Sequence, residues 1–351
     1  MAKNNTVLIN GKKIGDQNKI YTIGDVGLTN GGDIERTFKL IDTLADLGVD
    51  AIKFQMIGPD ELLGDKKVTY KFKTLLNGEI TQNMYEMFSE LNFSDEEWFK
   101  ISDYIFSKKL EFICTSHFMG AVDLLEKCKV NLHKICTWSS THKRLIEKIG
   151  KTKKPLLIDT GASTIEEIEE IFLWHSRCGG KEKLILHDFH TDNIGEMNFK
   201  GIQLLKETFN CPVGYTPQGR DYDYDLMCVG IGVNILEKRI TLDRKIPKNG
   251  HWKSLEPKEF KLWLDKIRDC EKAMGDYKVI PSAKDIEISK WAFKSLYSSR
   301  NISRGETAKD DMFVARRPGT GISPKKISDF IGKKFSLDVK EGTLLKQNYF
   351  E

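Results

Sequence analysis

The sequence has no apolar run near the ~18 residues a membrane span needs. Its opening stretch, MAKNNTVLINGKK, lacks the apolar core of a secretory signal. These two absences predict a cytoplasmic protein with no membrane partner. Cysteine is sparse and unpatterned: the seven residues at 114, 128, 136, 178, 211, 228 and 270 form no CxxC pair. An odd, scattered set excludes a disulfide framework, and Cys114, Cys136 and Cys228 lie inside apolar runs, where a thiol acts as a small buried group. No charge sign dominates either, since 55 basic and 51 acidic residues are interspersed and leave a net +4. The basic stripe that nucleic acid demands is therefore missing. Long polar tracts are absent too, so disorder is a poor reading of a 351-residue chain that is 40% hydrophobic.

What is present is alternation. After a hairpin predicted at VLINGKKIGD, with Asn10-Gly11 as its turn, eight short apolar runs follow: YTIGDVG, AIKFQM, EFICTS, LHKIC, PLLIDTG, KLILHDF, PVGYT and NILEKRITL. Between them lie segments with helical spacing, such as IERTFKLIDTLADLGV, RLIEKIGK and TIEEIEEIFLWHS. Eight strand–helix units predict an α/β fold, a closed (β/α)8 TIM barrel. An open doubly wound sheet is the alternative; the strand count and the lack of a GxGxxG turn after the first strand weigh against it. The barrel is expected over residues 1–280, a linker over 281–294, and a small β-rich domain over 295–351, where Gly and Pro break up short β-like pieces.

In such a barrel the chemistry sits at the C-terminal ends of the strands. Reading those ends yields Asp25, Lys53, Gln55, Thr115, Ser116, Lys134, Thr137, Asp159 and Thr160 from the first five runs. The last three add His187, His190, Thr216, Gln218, Glu237, Lys238 and Arg239. Two lysines on the second and fourth strands make a cradle for a phosphate or carboxylate. Any one strand-end polar residue could equally just solvate a rim. His187 and His190 do not suggest a shared metal, because positions three apart on a strand point to opposite faces. A hydrogen-bonded structural histidine is the simpler account of His187.

With these residues in hand, the chain resembles the sialic acid synthase family. GDVGLTNGGD is similar to the family's first-strand motif, and ADLGVDAIKFQ to its Gly-Ala-Asp-Ala-Val-Lys-Phe-Gln segment. HKICTWSS, PLLIDTGASTIEEIEE, PVGYT, LEKRITLDRKIP and HWKSLEP follow in family order. RRPGTGISP, then IGKKFSLDVKEG, is similar to the antifreeze-like (SAF) domain. The resemblance implies condensation of phosphoenolpyruvate with an N-acylated amino sugar, commonly N-acetylmannosamine, through a carbon–carbon bond with release of phosphate. It implies a domain-swapped homodimer in which each SAF domain covers the other chain's barrel mouth. It further implies that Lys53 and Lys134 contact phosphoenolpyruvate and that Arg317 reaches the sugar's acyl group. The catalytic set so expected is Asp25, Lys53, Lys134, His190 and Arg239. Gln55, Ser116, Thr137, Asp159, Thr160, Thr216, Gln218, His251 and Arg317 are expected to bind substrate.

Departures from the family pattern fall on the metal and phosphate positions. The family holds a divalent ion, manganese or magnesium, with two histidines; those places are Gln218 and Arg239 here. The serine that helps hold phosphate is Asp159, which needs protonation or a partner such as Arg239 or Lys134. The glutamate of the first strand is Asp25, an acidic residue after the fourth-strand lysine is Ser139 with Trp138 before it, and an asparagine is His190. Gly250 replaces an aspartate, although His251 remains. Three readings stand at this stage: the synthase; the same scaffold with metal-independent chemistry on another anionic or sugar substrate, for instance a lysine-based aldolase using Lys53, Lys134 or Lys238; and a non-catalytic paralogue that binds a sugar or a protein.

Overall fold

The structure is a computed structural model and describes residues 5–191, 193–217 and 219–351. The chain divides into two compact units, Met1–Gly275 and Asp276–Glu351.

In the first unit eight parallel strands close into a barrel: β1 Tyr21–Gly27, β2 Ala51–Met56, β3 Glu111–Ser116, β4 His133–Ile135, β5 Leu156–Asp159, β6 Lys183–His187, β7 Val213–Tyr215 and β8 Ile235–Arg239. They are the eight apolar runs, arranged in chain order, with β8 pairing back onto β1. Closure leaves no open sheet edge and excludes the doubly wound alternative.

Strand alternation sorts side chains into two cores. Outward residues such as Phe54, Phe112, Cys114, Ile158, Ile185 and Leu236 pack against the helices. Inward residues Tyr21, Ile23, Ala51, Ile113, Leu157, Leu184, Leu186 and Ile235 fill the N-terminal half of the lumen. The predicted hairpin, Val7–Ile9 with Lys12–Ile14, seals that end with Val7, Ile9 and Ile14. Its turn needs positive φ at both Asn10 (45°) and Gly11 (80°), residues that tolerate it.

The helices carry their own start signals. Thr164 and Glu167 form a reciprocal capping box on helix Ile165–Arg177, and Asp33 caps helix Ile34–Leu47. One insertion escaped sequence reasoning: a hairpin of Thr69–Thr74 and Gly78–Asn83, between β2 and the next helices. It is largely exposed, and its period-two signal is limited to Tyr70 and Phe72 alternating with Lys71 and Lys73.

In the second unit, strands Ser295–Ser298 and Phe313–Arg316 pair antiparallel over a core that includes Leu296, Met312, Phe335 and Leu345. The region read as a linker contains a helix, Ala283–Ala292, started by a Ser282–Asp285 capping box. Its C-terminal end meets the Arg316–Gly319 turn: Gly319 N–H donates to the Lys290 carbonyl at 2.9 Å. A Cβ on Gly319 would lie 2.7 Å from Phe293 Cβ, so this approach requires glycine. The turn is also held by Ser295 Oγ, which donates to the Pro318 carbonyl, and by the Tyr297 hydroxyl, which donates to that of Arg317. Both Arg316 and Arg317 are exposed within this unit.

Candidate functional site

Where the strands end, the lumen changes from aliphatic to ionic. Lys53 on β2 lies 2.9 Å from Asp25 Oδ1 on β1 and 3.5 Å from Glu237 Oε1 on β8. Lys134 on β4 lies 2.7 Å from Glu237 Oε2 and 3.1 Å from Asp159 Oδ1 on β5. Arg239, two residues beyond Glu237 on the same face, places Nε 3.4 Å from Asp25 Oδ2. Glu237 is thus the hub of the network, bridging the two lysines, and Thr216 Oγ1 also donates to it at 3.3 Å. Apart from Arg239, which is about a quarter exposed, the ionic residues are buried.

Three carboxylates around two lysines do not share one fate. Burial pushes Glu237 upward, but Lys134 and Lys53 overcome it and bring its pKa down to about 2. Asp159 goes the other way, to about 7, because burial outweighs Lys134 and the negative charges of Glu237 and Asp188 add to it. Burial also opposes charge on Lys134, yet Asp159 and Glu237 raise its pKa above the ordinary lysine value.

Above this layer opens a cavity of about 610 Å³. Asp25 and Arg239 reach its floor, Gln55 and His117 one wall, and Trp138 and His190 another. Tyr70 of the inserted hairpin also lines it. His117 Nε2 and Gln55 Oε1 are 3.3 Å apart, and burial, then Lys53, lower the His117 pKa to about 4, so it is a neutral ring.

The Asp25–Gly27 corner explains how β1 delivers its carboxylate. The β1–β2 register slips between Asp25 and Gly27, and Gly27 takes φ of 50°. Such a bulge turns the chain away while leaving Asp25 aimed into the lumen. Gly161 plays a second local part: a Cβ there would sit 2.0 Å from Thr137 Oγ1, so only glycine lets the loop after β5 rest on Thr137.

Asp25, Gln55, His190 and Arg239 line the cavity, whereas Lys53, Lys134, Thr137, Asp159, Thr160 and Thr216 are not among its lining residues and join the site through the contacts of the layer below. Thr137 Oγ1 donates to Asp188 Oδ2 at 3.3 Å, the Asp188 amide donates to Thr160 Oγ1 at 3.1 Å, and His190 Nε2 stands 3.5 Å from Asp188 Oδ2. Asp159 is paired with Lys134, whereas Arg239 has taken Asp25.

Several candidates lie elsewhere. Ser116 shares the outward β3 face of Phe112 and Cys114 and does not line the cavity. His251 is buried, its Nδ1 2.7 Å from Thr241 Oγ1, while Asn249, Gly250, Lys253 and Ser254 around it reach the cavity. Lys238 points out of the lumen and lies 2.7 Å from Asp225 Oδ2, donating also to the Asp221 carbonyl. Burial, against the pull of Asp225, lowers its pKa, but no reacting group can meet it there. His187 likewise faces outward, with Nε2 3.0 Å from the Met197 carbonyl, as a structural histidine should. Arg317 belongs to the second unit, and Gln218 lies outside the described residues.

Glu237 and Asp188 were undervalued from sequence. Parity could have found Glu237, because in ILEKR it shares a face with Ile235 and Arg239, while Lys238 takes the opposite one. No local signal marks Asp188 as the partner of groups from β4, β5 and the β6 loop.

A closed parallel barrel with a charged mouth, joined to a small β-rich domain, defines the class: a TIM-barrel protein with an ionic layer beneath a cavity at the C-terminal ends of its strands. Residues 40–279 match the NeuB family and residues 293–351 match the SAF domain. The chain belongs to the NeuB family. It is 30% identical to N,N'-diacetyllegionaminic acid synthase of Campylobacter jejuni, over 94% of this chain and 99% of that protein. Pseudaminic acid synthase of the same organism is 29% identical over 95% of this chain and 97% of its own length. The crystal structure of the N-acetylneuraminic acid synthetase of Leptospira borgpetersenii, in complex with citrate, superposes with a TM-score of 0.71 at 24% identity. That superposition covers 81% of this chain and 94% of the other. This last likeness speaks for the fold.

At Arg239, one of the two positions where the resemblance places a metal ligand, the divalent ion implied by the family does not fit; the other, Gln218, lies outside the described residues. Arg239 presents a donor-only guanidinium, which has no lone pair to give a metal. The nearby carboxylates of Asp25, Asp159 and Glu237 are engaged by cationic side chains. Among the described residues no group of three or more His, Cys, Asp or Glu side chains is placed to hold an ion.

Proposed function

We propose that this chain condenses phosphoenolpyruvate with an N-acylated amino sugar, giving a nonulosonic acid and inorganic phosphate. The observation that carries this reading is the buried pair Lys53 and Lys134, bridged by Glu237, beneath a cavity large enough for both substrates. Carbon 3 of the enolpyruvate attacks the aldehyde carbon of the open-chain sugar, and the carbonyl electrons move to oxygen, which takes a proton. Water supplies the oxygen of the new keto group as phosphate departs.

The residues divide this work by position. Lys53 and Lys134 hold the anionic donor as fixed charges. Asp25, held between Lys53 and Arg239, is the carboxylate at the floor of the cavity that handles the proton. Arg239 turns Nη1 into a buried position with no hydrogen-bond partner among the described residues. That donor serves the oxyanion developing on the aldehyde, the task for which an ion would otherwise be used. SAF-domain swapping, with Arg317 on the acyl group of a sugar in a partner's barrel, belongs to the same proposal.

The lysine-aldolase reading is weaker on the same geometry. A Schiff-base lysine must shed its proton, and Lys134 is held in the opposite state by two carboxylates. Lys238 faces away from the cavity. The test is release of phosphate from phosphoenolpyruvate on addition of N-acyl hexosamines, with and without a chelator. Release that survives chelation is expected. No release with a broad acceptor panel, with or without added manganese, overturns the reading.

A further inference from the structure

Trp138 is the anomaly of the cavity wall. Its side chain is 70% exposed, although it lies on the buried turn Thr137–Ser139 directly after β4. A large ring left in water contributes little to folding, and this one is not an isolated surface aromatic, because it lines the cavity beside a second ring. The ring rests on His190, with centroids 4.7 Å apart and planes tilted by 46°. His190 is in turn tied to the buried Asp188, 3.5 Å away, and the same carboxylate accepts from Thr137, the residue before Trp138. Gly161 closes against Thr137 from the other side. Both rings line the cavity, and the pairing with Asp188 anchors His190 before any ligand arrives.

Two tilted aromatic rings packed together in a cavity wall offer faces that recognise C–H-rich surfaces. Beneath them the floor is ionic, which suits the anionic donor and leaves the upper wall to the neutral substrate. We propose that Trp138 and His190 form an aromatic shelf that receives an apolar edge of the acceptor sugar, a C–H face or an N-acyl methyl, and so select the acceptor. The proposal rests on the synthase reading and deepens it by assigning acceptor choice to two named residues.

Because Trp138 is exposed, Trp138→Ala should fold. With full-length protein, W138A is expected to raise the acceptor KM at least tenfold, keep the KM for phosphoenolpyruvate within twofold, and be largely rescued by W138F. An acceptor KM within twofold of the parent overturns the shelf. A binding readout separates this from the fate of the synthase reading. In protein labelled with 5-fluorotryptophan, the resonance lost in W138F identifies Trp138. It should shift on titration with N-acetylmannosamine or N-acetylglucosamine. A shift without any phosphate release upholds the shelf while the synthase reading falls. Turnover with no shift and no change in W138A leaves the synthase reading and removes the shelf.

Discussion

The lower and upper halves of the barrel interior lie on the same strand faces and have opposite chemistry. On β8, Ile235 belongs to the aliphatic layer, while Glu237, one inward position further, bridges two lysines. On β5, Leu157 gives way to Asp159, and on β1 Ile23 gives way to Asp25. A step of about 7 Å along each strand exchanges hydrophobic burial for a set of costly ion pairs. The lower half stabilises the barrel; buried salt bridges by themselves add little stability, so stability does not account for the upper half.

The comparison is broken most directly at Lys134. Lys134→Met leaves Asp159 and Glu237 without their shared cation, and kcat/KM for phosphoenolpyruvate should fall by about a thousandfold. Steady-state phosphate release measures this, and activity within tenfold of the parent would refute the division of labour. The next effect lies below. Leu184→Ala opens a void in the aliphatic layer and should cost about 2–5 kcal/mol in urea unfolding, with KM little changed in the protein that remains folded. A large change in KM without loss of stability would show that the two layers are not separable.

The smallest effect is a pH dependence, and its sign differs between two carboxylates of one network. Asp159, raised from 3.8 to about 7, favours folding when protonated. Its contribution is complete below about pH 4 and is lost as pH rises to about 7. Glu237, lowered from 4.5 to about 2, contributes above about pH 4.5 and loses its share only as pH falls toward 2. An anionic donor should bind best while Asp159 is protonated, so affinity should decline by up to about tenfold per pH unit above pH 7. Calorimetric titration of phosphoenolpyruvate between pH 6 and 8.5 checks this, and Asp159→Asn should flatten the profile. A profile unchanged by D159N assigns the titration to another group.

Much of the site was legible because barrel chemistry is addressed locally. Apolar runs mark strands, the residue closing each run faces the mouth, and Lys53, Lys134, Asp25 and Arg239 follow from that rule. The rule overreached at Ser116 and Lys238, where alternation turns the side chain outward; His251, expected at the site from the family resemblance, packs behind the wall. The Thr69–Asn83 hairpin did leave a period-two signal, Tyr70 and Phe72 alternating with Lys71 and Lys73, but it is short and mostly exposed, and the helix at 283–292 has no buried residue to reveal it.

By itself the sequence determined the closed barrel, the order of its strands and the presence of cations at the mouth, because period-two alternation and strand ends are properties of a few neighbouring residues. Tertiary structure decided the pairings. Lys134 and Glu237 stand 103 residues apart in the chain and 2.7 Å apart in space. Closure also decided that Arg239 takes Asp25 while Asp159 is left to Lys134, and that Asp159 keeps its proton near neutrality. Burial and the fields of neighbouring charges act through space, so they exist only once the strands have met.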